Sequence, residues 1–165
     1  MRTYFKDINA DFTCKHCGAF VSTWSGLSGV VNRNHCPYCL HSRHLDLFKA
    51  GDRLSACKDL MAPVGLTMKK SHDKYTNQSQ GELMLVHQCK GCDQLSVNRI
   101  AADDDPVRIL EIIDMNPMEN PDLIVRCEYN RIQLLQAGDR NLVQSRLFGV
   151  DFMARKGEQN IFMNI

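Results

Sequence analysis

Three Cys-x-x-Cys pairs constrain this chain more than any other feature of its sequence. They are Cys14–Cys17, Cys36–Cys39 and Cys89–Cys92. The spacing lets both thiolates of a pair bind one tetrahedral ion at about 2.3 Å each, while backbone N–H groups between them hydrogen-bond the sulfurs. Turn-forming residues agree with this geometry, because Gly18 follows the first pair and Gly91 lies inside the third. The pairs therefore predict three metal-binding knuckles.

The first two pairs are separated by 18 residues. This separation is expected when knuckles at the ends of two adjoining hairpins close one four-cysteine zinc ribbon. The alternative is redox chemistry, in which a Cys-x-x-Cys pair begins a helix after a buried strand and one thiol has a lowered pKa. Turn formers flank each pair and no strand–pair–helix pattern is visible, so the zinc ribbon is favoured.

The third pair needs two further ligands to close a site. Cys57 is the only cysteine between the second and third pairs, and we assign it as the third ligand. His87 is the provisional fourth ligand, because it lies two residues before Cys89 and shares its strand face. His44 and His41, just past the second knuckle, remain alternatives for this position.

The sequence thus predicts two Zn²⁺ ions per chain, both contributing to the free energy of folding. The predicted ligands of the first ion are Cys14, Cys17, Cys36 and Cys39. Those of the second are Cys57, Cys89, Cys92 and His87. The eighth cysteine, Cys127, is interpreted as a buried apolar thiol.

Composition indicates an ordinary globular protein. The chain has 165 residues, of which 44% are hydrophobic and 24% charged, which suits one domain or two small ones. Its formal net charge is +1, and seven thiolates on two Zn²⁺ ions would change this to −2. No overall field therefore attracts nucleic acid, and any such binding must come from a local basic surface.

Two regions differ in residue content. All six histidines and seven of the eight cysteines lie before position 93. Residues 1–104 carry a net charge of +3 and residues 105–165 one of −2. We therefore predict a zinc-binding domain over 1–104, with two zinc ribbons, and a helical C-terminal extension over 105–165.

Hydrophobic periodicity predicts an α+β fold in which two small zinc ribbons with antiparallel strands precede a C-terminal helical segment. Alternating runs at 64–68, 82–87 and 95–100 predict strands, and the polar residues 71–81 predict the loop of a long hairpin. Asp105 and Pro106 predict the start of a first helix. Apolar residues from Leu123 to Leu135 predict a second helix ending near Gly138, and a third is expected to end near Gly149.

The cellular compartment is predicted from two signals that the sequence does not show, a secretory signal and a membrane span. The first 13 residues contain four charged side chains and no apolar core, so no secretory signal is expected. The longest apolar runs fall far short of the roughly 20 residues that a membrane span needs. We therefore expect a cytoplasmic protein with reduced thiols and no membrane partner.

The segment Arg33-Asn34-His35-Cys36-Pro37 resembles the motif that names the RNHCP-domain family of small bacterial proteins. Other parts of the chain are similar to that family in the same order: 12–18, 36–46, 51–53, Cys57, 86–92 and 98–106. The resemblance covers about residues 11–110 and implies a bacterial zinc-binding domain without an established molecular function. Asp93 departs from it, since a knuckle commonly has Gly there, and nothing is implied for residues after about 120.

Four arginines beside knuckles or strand ends are candidates for nucleic-acid binding: Arg33, Arg43, Arg53 and Arg99. Guanidinium groups bind phosphates bidentately, and Phe20, Trp24 or Tyr38 can stack on an unpaired base. The sequence therefore favours a non-enzymatic module that recognises nucleic acid, RNA before DNA. The alternative is that the arginines pair with nearby aspartates and orient the metal ligands. These aspartates are Asp46, Asp52, Asp103 and Asp104.

Two other functions remain open. A metal-dependent nuclease-like enzyme can be assembled from His35, His41, His44 and Asn98, but closed four-ligand sites leave no open zinc position, so no catalytic residue is assigned. A protein-interaction adaptor would instead use residues 105–165 to bind a protein partner. The acidic run at 103–105 precedes a helix, where it more often favours the helix dipole than a cation.

Overall fold

The computed structural model describes residues 10–69, 81–115 and 119–149 and has the predicted α+β architecture. Its strands are β1 (Phe12–Thr13), β2 (Phe20–Val21), β3 (Ser42–Arg43), β4 (Leu60–Lys69), β5 (Glu82–Cys89) and β6 (Leu95–Arg99). Its helices are α1 (Ser25–Ser28), α2 (Pro106–Asp114), α3 (Pro121–Tyr129) and α4 (Arg140–Phe148), with a 3₁₀ turn at Ala137–Asp139 before α4. Within these residues, no helix has the length and apolar character needed to cross a membrane.

The strands form two antiparallel sheets. β1 and β2 pair as a small ribbon, and the larger sheet has the order β3-β4-β5-β6. The predicted strands lie within or overlap β4, β5 and β6. Of the predicted loop at 71–81, only Gly81 is among the described residues. The register of β4 against β5 shifts between Pro63 and Gly65, as expected where proline cannot donate a ladder hydrogen bond.

The hydrophobic core lies between the larger sheet and two helices. In α2, Ile109, Ile112 and Ile113 are buried at helical spacing and form one face. They pack with residues of β4, β5 and α4, and the buried cluster comprises Leu40, Leu66, Leu83, Leu85, Ile109, Ile112, Ile113 and Val143. Residues on both sides of position 104 therefore contribute to one core, and a domain division at that point stays a prediction.

The helix termini follow local rules in α2 and α4. The Asp105 side chain accepts a hydrogen bond from the Val107 N–H at 2.9 Å, and Pro106 occupies the first turn, which confirms the predicted start. The third predicted helix ends at Phe148, with Gly149 at its C-cap. The two ends thus depend on residues within a few positions of the terminus.

The predicted second helix is shorter than expected. α3 ends at Tyr129, and Arg131 has a left-handed φ of +56°. Residues 132–135 are not helical, because Leu134 bridges to Thr67 and the Leu135 N–H donates to the Leu66 carbonyl at 2.8 Å. β3 pairs with only the first residues of β4, so the remaining edge of β4 offers backbone groups that this segment satisfies.

Candidate metal centres

The structure brings together the four cysteines predicted to hold the first ion. The Sγ atoms of Cys14, Cys17, Cys36 and Cys39 all lie within 4.8 Å of one another. The Sγ atoms of Cys14 and Cys39 are 3.6 Å apart, as are those of Cys17 and Cys36. Tetrahedral binding with metal–sulfur bonds of about 2.3 Å places sulfurs about 3.8 Å apart, whereas a disulfide requires about 2.05 Å. This group, called the first centre below, has the geometry of four ligands to one ion.

Three knuckles share one pattern of backbone hydrogen bonds. In the first, the Gly18 N–H donates to the Cys14 carbonyl at 3.0 Å, and the Cys14 N–H donates to the Ala19 carbonyl at 2.8 Å. The same two bonds form in the knuckles that begin at Cys36 and Cys89. In each knuckle the residue after the second cysteine has a positive φ. This residue is Gly18 in the first knuckle, Leu40 in the second and Asp93 in the third.

Leu40 holds this left-handed conformation although it has a Cβ, at a cost of about 1–2 kcal/mol. Its side chain is fully buried in the main hydrophobic core. Burial of a leucine side chain stabilises by about 1.5–3 kcal/mol, which offsets the strain. The second knuckle is therefore attached to the core through its own turn residue.

A second group combines one knuckle with two residues from elsewhere. Ligand atoms of His44, Cys57, Cys89 and Cys92 lie within 4.8 Å of one another. The Sγ atoms of Cys57 and Cys89 are 3.6 Å apart, and the Nδ1 of His44 is 3.3 Å from the Sγ of Cys92. Tetrahedral binding predicts about 3.8 Å and 3.5 Å for these two pairs. This group, the second centre, can therefore hold another ion.

The provisional choice of His87 for the second centre is corrected by the structure. His87 is fully buried, its Nε2 donates to the Leu40 carbonyl at 2.7 Å, and its Nδ1 accepts from the Asn98 side chain at 2.9 Å. Burial lowers the pKa of His87 to about 3. Residues two apart on a strand are roughly 6.6 Å apart, so sharing a face with Cys89 does not bring His87 to the same ion.

His44 occupies that position because of the sheet order. It directly follows β3, and its N–H donates to the Asp59 carbonyl at 2.9 Å. Ser42 of β3 pairs with Met61 of β4, which pairs with Cys89 of β5. Three neighbouring strands thus carry His44 to the third knuckle. His41, the other alternative, lies next to the first centre instead.

In both centres, the pKa values of some thiols are raised and those of others are lowered. Burial raises the pKa of Cys36 and of Cys89 to about 11, and it also raises that of Cys39. Backbone hydrogen bonds lower the pKa of Cys17 and of Cys57. A bound cation would stabilise the thiolates that burial disfavours, so ion binding at both centres is expected to release protons.

The Arg-Asn-His-Cys-Pro segment supports the first centre from inside the protein. The buried Arg33 guanidinium donates from Nη1 to both carboxylate oxygens of Asp103, at 2.8 and 2.7 Å, and from Nη2 to Asp104 at 3.2 Å. The Nε2 of His35 pairs with Asp104 at 2.7 Å, and the Ala101 N–H donates to the same carboxylate at 2.8 Å. Charges this deeply buried need such complete pairing.

This network also connects the second knuckle to α2. The N–H of Asp105, the cap of α2, donates to the Pro37 carbonyl at 2.9 Å. Arg33 and Pro37 stand at the two ends of the five-residue motif, so both ends bind the acidic run at 103–105. The acidic run therefore has a structural role.

Two of the four arginines predicted to bind nucleic acid are buried, which corrects their assignment. The side chains of Arg33 and Arg53 are only 1% and 7% exposed, and Arg53 pairs with Asp46 at 3.6 Å and with Asn34. Arg43 is half-buried, with its guanidinium 3.5 Å from the centroid of the Phe12 ring. Arg99 is 64% exposed and pairs with Glu82. The structure does not gather these four into one exposed face.

A different basic surface lies over the two centres. We call it the knuckle face, and it consists of Lys15, His16, His41, Lys58 and Lys90. The Nζ of Lys15 lies 3.4 Å from the Lys58 carbonyl, and the His16 and His41 rings stack with centroids 3.6 Å apart. Burial lowers the pKa of His41, and the nearby His16 and Lys90 lower it further.

The sequence contains a signal for this surface that the arginine hypothesis overlooked. Lys15, Lys58 and Lys90 each directly follow a cysteine of one of the two centres, and all three are exposed. At these three positions the side chain faces solvent, whereas Pro37 and Leu40, which follow the two cysteines of the second knuckle, are buried. The recurrence of lysine at these positions predicts a basic surface over the centres.

Comparison with known proteins gives one match. A family model described as the RNHCP domain matches residues 9–110. No curated protein and no solved structure matches the chain. The matched range contains every ligand of both centres, the Arg33 network and the first part of α2.

Proposed function

The chain belongs to the RNHCP-domain family, and we propose that it is a structural zinc protein with two Zn²⁺ ions that binds nucleic acid, RNA in preference to DNA. Sets of four thiolates, or of three thiolates and one imidazole, in tetrahedral arrangement are typical of zinc. The first centre would hold one ion and the second the other. Bound there, the ions would cross-link distant segments and stabilise the fold.

A non-enzymatic role is supported by the ligand count. Each centre offers four protein ligands, which leaves no open position for a water molecule or a substrate. The residues considered for a nuclease are dispersed: His35 pairs with Asp104, His41 stacks on His16, and Asn98 binds His87. His44 belongs to the second centre.

The observation that carries the nucleic-acid proposal is the knuckle face. Three exposed lysines come from separate segments, and Lys15 is in contact with Lys58. Exposed lysines bind the phosphates of a nucleic-acid strand. Tyr38, inside the second knuckle, is 60% exposed and His16 presents an exposed ring, so both can stack on unpaired bases.

The test is salt-dependent binding of the zinc-loaded full chain to labelled single-stranded RNA and DNA of equal length and sequence. Three phosphate contacts predict a slope of log K against log salt of about −2. We expect the triple variant Lys15→Ala/Lys58→Ala/Lys90→Ala to lose most of this slope and to bind RNA at least about tenfold more weakly.

The matched control is Lys49→Ala/Lys69→Ala, which removes exposed lysines outside the knuckle face. This variant should bind RNA as the wild type does. Absence of salt-sensitive binding by the wild type, or equal loss in the control, would reject the proposal. Tighter binding to DNA than to RNA would reject the preference alone.

The adaptor alternative has weaker support. The apolar faces of α2 and α4 are already used, since Ile109, Ile112, Ile113 and Val143 are buried in the core. A protein partner at residues 105–165 would have to bind other surfaces of this region.

A further inference from the structure

A third group of ligand atoms lies beside the first centre. Nitrogen atoms of His16 and His41 and the Sγ of Cys39 are all within 4.8 Å of one another. His16 is exposed, and the other two residues are half-buried. Neither imidazole belongs to the two centres described above, whereas Cys39 is shared with the first.

His41 is oriented as a metal-binding histidine usually is. Its Nδ1 lies 3.1 Å from the Cys39 carbonyl oxygen, a distance at which the Nδ1–H donates to that oxygen. This bond leaves Nε2 with a free lone pair. A ring N–H given to a backbone carbonyl is the common device that fixes the tautomer and direction of a metal-ligating imidazole.

The His16 ring is held close to that nitrogen by stacking. The ring planes of His16 and His41 are 6° from parallel and their centroids 3.6 Å apart. Lone pairs of imidazole lie in the ring plane, so two parallel rings do not point at one ion. Because His16 is exposed, rotation of its side chain, fast in exposed residues, can turn its nitrogen toward the ion that His41 faces.

The charge of the first centre favours a cation next to Cys39, while the nearby Lys90 opposes it. Four thiolates with one Zn²⁺ leave the first centre with a formal charge of −2, and a second divalent ion next to Cys39 would bring it to zero. A thiolate sulfur keeps lone pairs after binding one ion, so Cys39 can bridge two. A cavity of about 220 Å³ borders His16, Cys39 and His41, which leaves room for water as a further ligand. Glu111 and Arg108 also line it and pair with each other at 2.7 Å.

We propose that His16, His41 and Cys39 form a third, exchangeable Zn²⁺ site, in which the Cys39 thiolate bridges to the ion of the first centre. This proposal rests on zinc occupying the first centre. Binding transfers no electron and forms only metal–ligand bonds: two from neutral imidazole nitrogens and one from a sulfur that is already a thiolate. The site would be open to solvent, unlike the two closed centres, and would load and release its ion faster.

The experiment starts from the full chain reconstituted with two equivalents of Zn²⁺. Added Zn²⁺ or Co²⁺ is measured by equilibrium dialysis and elemental analysis. We expect the wild type to saturate at three equivalents and His16→Ala at two. Lys49→Ala, which removes an exposed lysine outside the knuckle face, should still bind three. The third Co²⁺ should show thiolate-to-cobalt charge-transfer absorption, because Cys39 is one of its ligands.

The outcomes separate this proposal from the proposed function. Saturation of the wild type at two equivalents would overturn the third site and leave the two structural ions intact. Saturation below two would overturn both. A third equivalent that persists in His16→Ala, or that lacks the charge-transfer band in the wild type, would show binding elsewhere and overturn the assignment.

Discussion

The two metal centres differ in where their ligands come from. The first is closed by two knuckles, each with two cysteines three positions apart. The second has one such knuckle and takes its other ligands from Cys57 and from His44 at the end of β3. The difference shows that a ligand pair is a local property of the chain, whereas the joining of separate ligands depends on strand order.

The two centres also differ in their support. The first is attached to the core by Leu40 and by the buried Arg33–Asp104 network. The second depends on a surface loop, in which the Asp52 carboxylate accepts hydrogen bonds from four backbone N–H groups, those of Leu47, Phe48, Lys49 and Leu54. Two cysteines of the second centre are exposed, against one in the first. We therefore expect the second centre to be the more labile.

Chelation should give the largest effect. Structural zinc sites contribute about 10–16 kcal/mol each in apparent binding free energy, so loss of both ions is expected to unfold the protein. Metal release under increasing chelator, followed with circular dichroism, should occur in two steps, with the second centre first. A fully chelated protein that still unfolds cooperatively would contradict this.

Single substitutions separate the two candidate histidines. His44→Ala should reduce the bound zinc from two ions to one, because it removes a ligand of the second centre. His87→Ala should keep both ions but lower stability by about 1–3 kcal/mol, since buried partners of its ring lose their hydrogen bonds. Elemental analysis and denaturant unfolding measure the two effects. The reverse pattern would restore His87 as the ligand.

Asp104→Ala tests the support of the first centre. It leaves the Arg33 guanidinium and the His35 ring without a shared buried partner, and breaking a buried pair costs about 3–5 kcal/mol. Faster metal release from the first centre should accompany this loss. Glu82→Ala is the matched control, because its pair with Arg99 is largely exposed and should contribute no more than about 1 kcal/mol. An equal loss of stability in the two variants would show that the Arg33–Asp104 network does not stabilise the first centre.

Asp52 should give the smallest effect, at the loop of the second centre. Its four backbone donors hold the pKa of Asp52 well below its usual range. A carboxyl with a lowered folded-state pKa stabilises the protein above its unfolded-state pKa of about 4, and this stabilisation is lost as the pH falls further. Asp52→Asn should therefore be less stable than the wild type at pH 7. The difference in free energy of unfolding between the two proteins, measured with denaturant, should shrink below about pH 4. A difference that stays constant with pH would contradict this prediction.

Much of the fold could be predicted from the sequence because its signals are local. The Cys-x-x-Cys spacing, the Asp105–Pro106 start of α2 and the glycine after α4 each act within a few residues. The alternating runs of β4 and β5 and the three isoleucines of α2 likewise identify buried faces. These features specified the α+β class and the four cysteines of the first centre.

The arginines and residues 132–135 could not be predicted in this way. Arginine beside a knuckle is compatible with an exposed phosphate contact and with a buried ion pair, and its partners Asp103 and Asp104 are about 70 residues away. The apolar residues from Ile132 to Leu135 suit a helix, yet an available edge on β4 holds Leu134 and Leu135 outside one. In both cases a distant segment supplied the deciding partner.

The sequence by itself determined the knuckles, seven of the eight centre ligands and the kind of ion they suit, because ligand chemistry and turn geometry are encoded over a few positions. Only the tertiary structure decided between His44 and His87, and only it showed that the side chains of Arg33 and Arg53 are buried. The order β3-β4-β5 brings His44, which follows β3, to Cys89 of β5 across the one intervening strand, β4. Such a path through space has no counterpart in the spacing of residues along the chain.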